Sequence, residues 1–105
     1  MFLNVPIDIY TATNGGSIEV PSPNGKKIRI SIAAGTQNGK RFRLKGKGMP
    51  VLQSRNFGDL YVEADIETPV NLSNSQKKLL AEFNESLQNN NNPKVRKYKN
   101  FLEDY

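Results

Sequence analysis

The stretch GKRFRLKGKGMP, Gly39 to Pro50, carries Arg41, Arg43, Lys45 and Lys47 on every second residue, with Phe42 and Leu44 between them. A period of two is that of a β-strand, whose successive side chains point to opposite faces. The pattern predicts a strand over Lys40–Lys45 with Phe42 and Leu44 turned to a core and the four cations turned outward. A phosphate loop is excluded by spacing. Gly39 and Gly46 are separated by six residues instead of four, and Gly48, not Ser or Thr, follows Lys47. The dinucleotide fingerprint fails as well, because Val51 stands at its third glycine position. A basic stripe with aromatics nearby is a footprint for nucleic acid. Phe42, however, alternates with the cations and is turned inward, where it cannot stack on a base.

Working outward from this strand, the segment DLYVEADIETP, Asp59 to Pro69, alternates Leu60, Val62, Ala64 and Ile66 with Asp59, Tyr61, Glu63, Asp65 and Glu67. A basic strand beside an acidic one pairs the two charged faces and opposes a one-residue slip in register. Glu63 and Asp65 suit acid–base work or a hard cation in principle, but alternating acids on a strand are read here as a solvated or ion-paired face. Between the two strands, Gly46–Gly58 has three glycines and a proline and is expected to be a loop, with Gly46 and Gly48 letting the chain leave the sheet before Pro50.

Upstream, FLNVPIDIY alternates Leu3, Val5, Ile7 and Ile9 against polar residues. Pro6 cannot donate to a ladder, which makes this an edge strand or a bulged one. A short helical turn is expected over Thr11–Asn14. The segment Ser17–Gly35 reads as a hairpin, with Ile18 and Val20 facing Ile28, Ile30 and Ile32. Asn24-Gly25 is the signal for a type I′ turn.

From Ser73 the period becomes helical. Ser73 and Gln76 form a capping box, and Leu79, Leu80, Phe83 and Leu87 share one face. The helix is expected to stop before the asparagine run Asn89–Asn92, and Asn92-Pro93 starts a second amphipathic segment with Val95, Tyr98, Phe101, Leu102 and Tyr105. Its charges run basic first and acidic last, against the helix dipole, so tertiary or partner contacts have to hold it. The first apolar face alone could close one end of a β core. The second exceeds what a small sandwich needs, and points to self-association.

Composition narrows the chemistry. In 105 residues there is no cysteine and no histidine, which removes disulfides, thiolate or imidazole metal sites and the commonest general base. No apolar run approaches the roughly 20 residues of a membrane span. The formal charge of +5 is segregated: Val20–Gly58 holds nine Lys or Arg and no acid, while six basic residues face all ten acids elsewhere. The expected fold is mainly β, a small antiparallel β-sandwich over residues 1–70. A helical tail follows over 71–105, with one or two amphipathic helices and an Asn-rich spacer at 88–92.

Three stretches together, PIDIYTATNGGSIEVPSPNGK (6–26), AGTQNGKRFRLKGKGMP (34–50) and GDLYVEADIETPVNLSNSQKKLLAEF (58–83), resemble the C-terminal region of DnaJ, the J-domain co-chaperones. The resemblance runs from about Phe2 through Leu87 and covers the second of the two related β-sandwich domains of such proteins plus the tail. It implies a fragment of a longer protein. The J domain needs a histidine, and the Gly/Phe-rich linker and the cysteine-rich zinc repeats are missing. Stimulation of a DnaK-type ATPase by this chain alone is therefore not expected.

The resemblance further implies a non-enzymatic, cytoplasmic module with no cofactor of its own, zinc entering only if the parent protein has a cysteine-rich region. Its partners are unfolded client proteins, a DnaK-type chaperone reached through the parent, and a second copy of itself. Client contacts in the family lie mainly on the other β domain. The dimer role carries over to Leu79, Leu80, Phe83 and Leu87 by match of the helix; Val95, Tyr98, Phe101 and Leu102 join them on amphipathicity alone. Two competing roles use Arg41, Arg43, Lys45 and Lys47: nucleic-acid binding, as in the curved-DNA-binding relatives of DnaJ, or docking of an acidic peptide tail such as that of the partner chaperone.

Overall fold

The structure is a computed structural model that describes residues 1–51 and 57–105. The chain divides into two compact units, Met1–Pro69 and Val70–Tyr105. Among its described residues the first unit holds five strands and a short helix: β1 (Phe2–Asp8), α1 (Ile9–Asn14), β2 (Gly16–Pro21), β3 (Lys27–Ile32), β4 (Arg41–Leu44) and β5 (Leu60–Glu67). They form a three-stranded sheet in the order β1-β5-β4 and a two-stranded sheet of β2 and β3. Both sheets contribute to one core, built from Ile7, Leu60, Val62 and Ala64 on the first, Val20, Ile30 and Ile32 on the second, and Ala12 of α1. This is the mainly β architecture the alternation predicts.

The pairing has one feature that alternation does not disclose. β2–β3 and β4–β5 are antiparallel, but β1 runs parallel to β5, from Phe2 opposite Tyr61 to Asp8 opposite Glu67. A parallel pair needs a long crossover, and the whole of β2, β3 and β4 lies between these two strands. Pro6 of β1 sits opposite Asp65, and among the described residues β5 is the one neighbour of β1 in the sheet. Its missing N–H thus falls on an edge strand.

Two local expectations need correction. Ile9 is not the fourth inward residue of β1. It opens α1 and is exposed, because the carboxylate of Asp8 accepts from the Thr11 backbone N–H at 2.9 Å and caps a helix that starts two residues earlier than Thr11. Nor is the β2–β3 connection a two-residue type I′ turn, since Asn24 does not have positive φ. Pro21 pairs with Lys27, so five residues connect the strands. The Gly25 N–H donates to Ser22 O at 3.0 Å across a turn with Pro23 and Asn24 in its centre. The Ser22 hydroxyl donates to Lys26 O at 2.8 Å, and Asn24 Oδ1 accepts from the Lys26 N–H at 3.0 Å.

The loop expected over Gly46–Gly58 is partly paired. The Gly48 N–H donates to Gly58 O and the Gly58 N–H to Met49 O, both at 2.8 Å, and Pro50 bridges Phe57; residues 52–56 lie outside the described residues. Gly48 is therefore not a point where the chain leaves the sheet. It lies against the next strand's entry, where a Cβ would overlap the Asp59 carbonyl oxygen and stand 2.7 Å from its carbon. Glycine is required there by close backbone approach.

The second unit contains α2 (Asn74–Ser86) and α3 (Pro93–Glu103). The capping box is formed: Ser73 Oγ accepts from the Gln76 N–H at 3.2 Å, and Gln76 Oε1 accepts from the Ser73 N–H at 2.8 Å. Asn92 precedes Pro93 as expected, but its side chain makes no capping bond. At φ −125° and ψ 70° it is outside the extended conformation typical of a cap, and Pro93 has already removed one N–H needing a partner. In the polar spacer, the Asn91 N–H donates to Gln88 O at 3.0 Å while Asn91 Oδ1 accepts from the Gln88 N–H at 2.7 Å. The run closes on itself as a turn.

Candidate functional site

Neither helix of the second unit has a buried residue. On α2 the exposures of Leu79, Leu80 and Phe83 are 66, 51 and 47%, and on α3 those of Val95, Tyr98, Phe101 and Leu102 run from 49 to 60%. Leu87 lies at the C-cap of α2, one residue past the last full turn, and is half-buried. Leu80, Phe83 and Leu87 also line an open groove of about 530 Å³, with Lys77, Asn84 and Asn92 at its polar margins. Tyr105 falls beyond α3 and packs its ring against Phe101, 6.1 Å between centroids. The helices are amphipathic, and a helix that buries nothing is weakly stable alone in water. These faces are chemically suited to cover one another or another apolar surface.

On the β unit, the register sets Arg41 opposite Glu63 and Arg43 opposite Tyr61. Arg41 Nε donates to Glu63 at 3.0 Å, and its guanidinium lies 5.3 Å from the centre of the Phe2 ring, which stacks on Tyr61. Arg43 Nε donates to Asp59 Oδ2 at 2.6 Å. The second oxygen of Asp59 accepts from the Gly46 N–H at 3.0 Å. These contacts, the Gly46 backbone donor first and Arg43 second, hold the Asp59 carboxyl below its ordinary 3.8, and the hydrogen bond to Asp59 raises Arg43 further above its usual value. Asp59 thus joins β4, the turn after it and the start of β5 through one carboxylate.

Of the four cations in the alternating run, Arg41 and Arg43 lie on β4 and are committed to carboxylates, whereas Lys45 and Lys47 fall past the end of the strand, which stops at Leu44 and not at Lys45. Lys45 and Lys47 make no ion pair among the described residues. Glu63 is engaged by Arg41, and no group of three or more acidic, His or Cys side chains among the described residues could hold a metal ion. No helix among the described residues is long and apolar enough to cross a membrane.

The alternation had marked Asp59 only as an outward acid. Its bond to a backbone N–H thirteen residues upstream has no periodic signal. Lys26, Lys27 and Arg29, which share an open cleft with Lys47, belong to no single motif. The signal for them is the acid-free run Val20–Gly58, which is wider than the one alternating strand.

Two small sheets over a shared core, a five-residue hairpin connection and a carboxylate that ties β4 to β5 define a small β module, followed in the chain by two amphipathic helices. The chain belongs to the DnaJ C-terminal domain family, whose sequence model (DnaJ C terminal domain) matches residues 1–69. The chain is 54% identical over 83 residues to the chaperone protein DnaJ of Azorhizobium caulinodans, a match covering 79% of this chain and 22% of that protein. It is 51% identical over 94 residues to the chaperone protein DnaJ of Brucella anthropi and to that of Brucella canis, covering 90% of this chain and 25% of each relative. The chain thus spans about a quarter of the length of these relatives.

Proposed function

We propose that this chain is the dimer-forming end of a cytoplasmic, non-enzymatic DnaJ-type co-chaperone that holds non-native polypeptide and passes it to a DnaK-type chaperone. The β unit supplies the second C-terminal β domain. The apolar face of α2, with Leu79, Leu80, Phe83 and Leu87, pairs with its copy, and Val95, Tyr98, Phe101 and Leu102 of α3 extend the contact. One observation carries this reading: seven large apolar side chains on two helices stand 47 to 66% exposed, with nothing buried in either helix. An amphipathic helix acquires most of its stability by burying such a face. A second copy offers the same face by symmetry, and a two-fold contact is the commonest closed assembly.

Dimerisation is a working part of such a holdase. Two weak client sites joined in one particle gain effective concentration with no new contact. The nucleic-acid alternative is weakened by the engagement of Arg41 and Arg43 with Glu63 and Asp59. Sedimentation velocity over a concentration series tests the proposal, with the whole chain compared with a form ending at Leu87. The whole chain is expected to sediment as a concentration-dependent dimer and the shorter form to dissociate more readily. A monomer at every concentration refutes the dimer reading.

A further inference from the structure

The sequence holds three Asn-Gly pairs, Asn14-Gly15, Asn24-Gly25 and Asn38-Gly39. When glycine follows asparagine, its backbone nitrogen can approach the asparagine side-chain carbon, because no Cβ stands in the way. The fold treats the three pairs differently. The Gly15 N–H donates to Thr11 O at 2.9 Å at the end of α1, and the backbone after β3 lies so close that a Cβ on Gly15 would stand 3.1 Å from Ile32 O and from Ala34 N. The Gly39 N–H donates to Ala64 O at 2.8 Å, and the Ala64 N–H returns to Lys40 O at 2.8 Å, which ties this peptide to β5. Asn38 is also drawn away from its own glycine, since its Oδ1 accepts from the Ile66 N–H of β5 at 2.8 Å.

Asn24 is arranged otherwise. Asn24 and Gly25 are both exposed in the β2–β3 connection, and a Cβ on Gly25 would meet nothing within 4 Å. Asn24 Oδ1 accepts from the Lys26 N–H at 3.0 Å, a bond that folds the side chain back along its own main chain and keeps Cγ beside the Gly25 nitrogen. The same N–H is aimed at the oxygen on which negative charge develops when a nucleophile adds to Cγ. Lys26 and Lys27 follow directly, within the acid-free run Val20–Gly58, and their charge favours the amide nitrogen in its deprotonated, attacking form. The Gly25 N–H is held by one hydrogen bond, to Ser22 O at 3.0 Å, across an exposed turn. Such a bond opens by local fluctuation, whereas the Gly15 and Gly39 bonds open only with the packing of α1 or the contact with β5.

We propose that Asn24 is a site of spontaneous deamidation in the folded protein, and that the fold protects Asn14 and Asn38. The Gly25 nitrogen gives up its proton and bonds to Asn24 Cγ. The Cγ–Nδ2 bond then breaks, and Nδ2 takes up the proton and leaves as ammonia, which closes a succinimide ring. Water opens the ring to aspartate where the bond from nitrogen to Cγ breaks, and to isoaspartate where the bond from nitrogen to the main-chain carbonyl carbon breaks. Either product places the first carboxylate in Val20–Gly58, beside Lys26 and Lys27. Isoaspartate also adds a methylene to the main chain and so disturbs the turn that the Gly25 N–H closes. None of this depends on pairing through α2.

The test is peptide mapping by tandem mass spectrometry of the whole chain, aged at physiological temperature in mildly alkaline buffer, either folded or unfolded in urea. The rate in urea divided by the rate in buffer gives a protection factor for each pair and cancels the effect of neighbouring sequence. The factor for Asn24 is expected to lie at least about tenfold below those for Asn14 and Asn38. Fragmentation that separates the isomers should find isoaspartate together with aspartate at position 24. Gly25→Ala adds a methyl group in open space but crowds the attacking nitrogen, and should slow conversion at Asn24 about tenfold while leaving the other two pairs unchanged. Protection of Asn24 equal to that of Asn14 or Asn38, conversion at 24 without isoaspartate, or an unchanged rate in Gly25→Ala would each overturn the proposal.

Discussion

Replacing Phe83 with Asp tests the helical face most directly. Phe83 is 47% exposed, so about 95 Å² of a side chain of about 200 Å² remains open to be covered. At about 25 cal/mol per Å² its burial contributes about 2.4 kcal/mol per protomer. In a two-fold dimer both copies contribute, giving about 5 kcal/mol, or a rise in the dimer Kd of roughly three to four orders of magnitude. Burial of an aspartate on the apolar face adds to that cost. Because Phe83 lies on a helix with no buried residue, the variant should keep the far-UV circular dichroism of the β unit and its melting midpoint. Sedimentation equilibrium across a wide concentration range reads the effect. A dimer of unchanged affinity would refute the assignment of Phe83 to the interface, and a collapse of the β unit itself would show that α2 serves the fold instead.

Four further outcomes follow from particular contacts. Gly48→Ala forces a Cβ against the Asp59 carbonyl, and is expected to cost about 1–3 kcal/mol, read as a lower thermal midpoint of the β unit. The lowered carboxyl of Asp59, held by Gly46 N–H and Arg43, and that of Asp8, held mainly by the Thr11 N–H, contribute stability that is complete above their ordinary 3.8 and is lost as pH falls through the lowered values. Urea midpoints measured from about pH 5 down to about pH 2 should therefore fall, and fall less in Asp59→Asn, whose stability should already be reduced at neutral pH. A double-mutant cycle on Arg41 and Glu63, exposed at 68 and 32% of their side chains, should return a coupling of only about 0.2–1 kcal/mol, shrinking with salt. Ser73→Ala removes the α2 cap and should lower helix content, at a cost of about 1 kcal/mol, seen by circular dichroism.

The parts of the molecule governed by local periodicity were open to reading from the chain alone. Phe42 and Leu44 pack against the core, and Leu60, Val62 and Ala64 are buried, because a strand with one dry face has to alternate. The Ser73 capping box forms because both of its bonds close within four residues. The juxtaposition of basic β4 with acidic β5 was visible as complementary charge, and the pairing of Arg41 with Glu63 follows from it. The order and turn chemistry of three long segments were enough to indicate the family.

Pairings across distance in the chain were decided only by tertiary structure. Nothing in FLNVPID states that β1 lies parallel to β5, because the partner of an edge strand is chosen by closing the core around Ile7, Leu60 and Val62. Asn24-Gly25 carried a strong local signal for a type I′ turn, yet the Ser22 hydroxyl and the Asn24 side chain complete a five-residue connection and override it. Gly48 reads from the chain as an exit from the sheet, yet the Asp59 backbone lies against it. The charge of Gly39–Pro50 likewise divided only on folding: Arg41 and Arg43 met carboxylates on β5, while Lys47 joined three cations of a distant hairpin across one cleft. Alternation assigns a residue to a face, whereas its partner depends on which segments the shared core brings together.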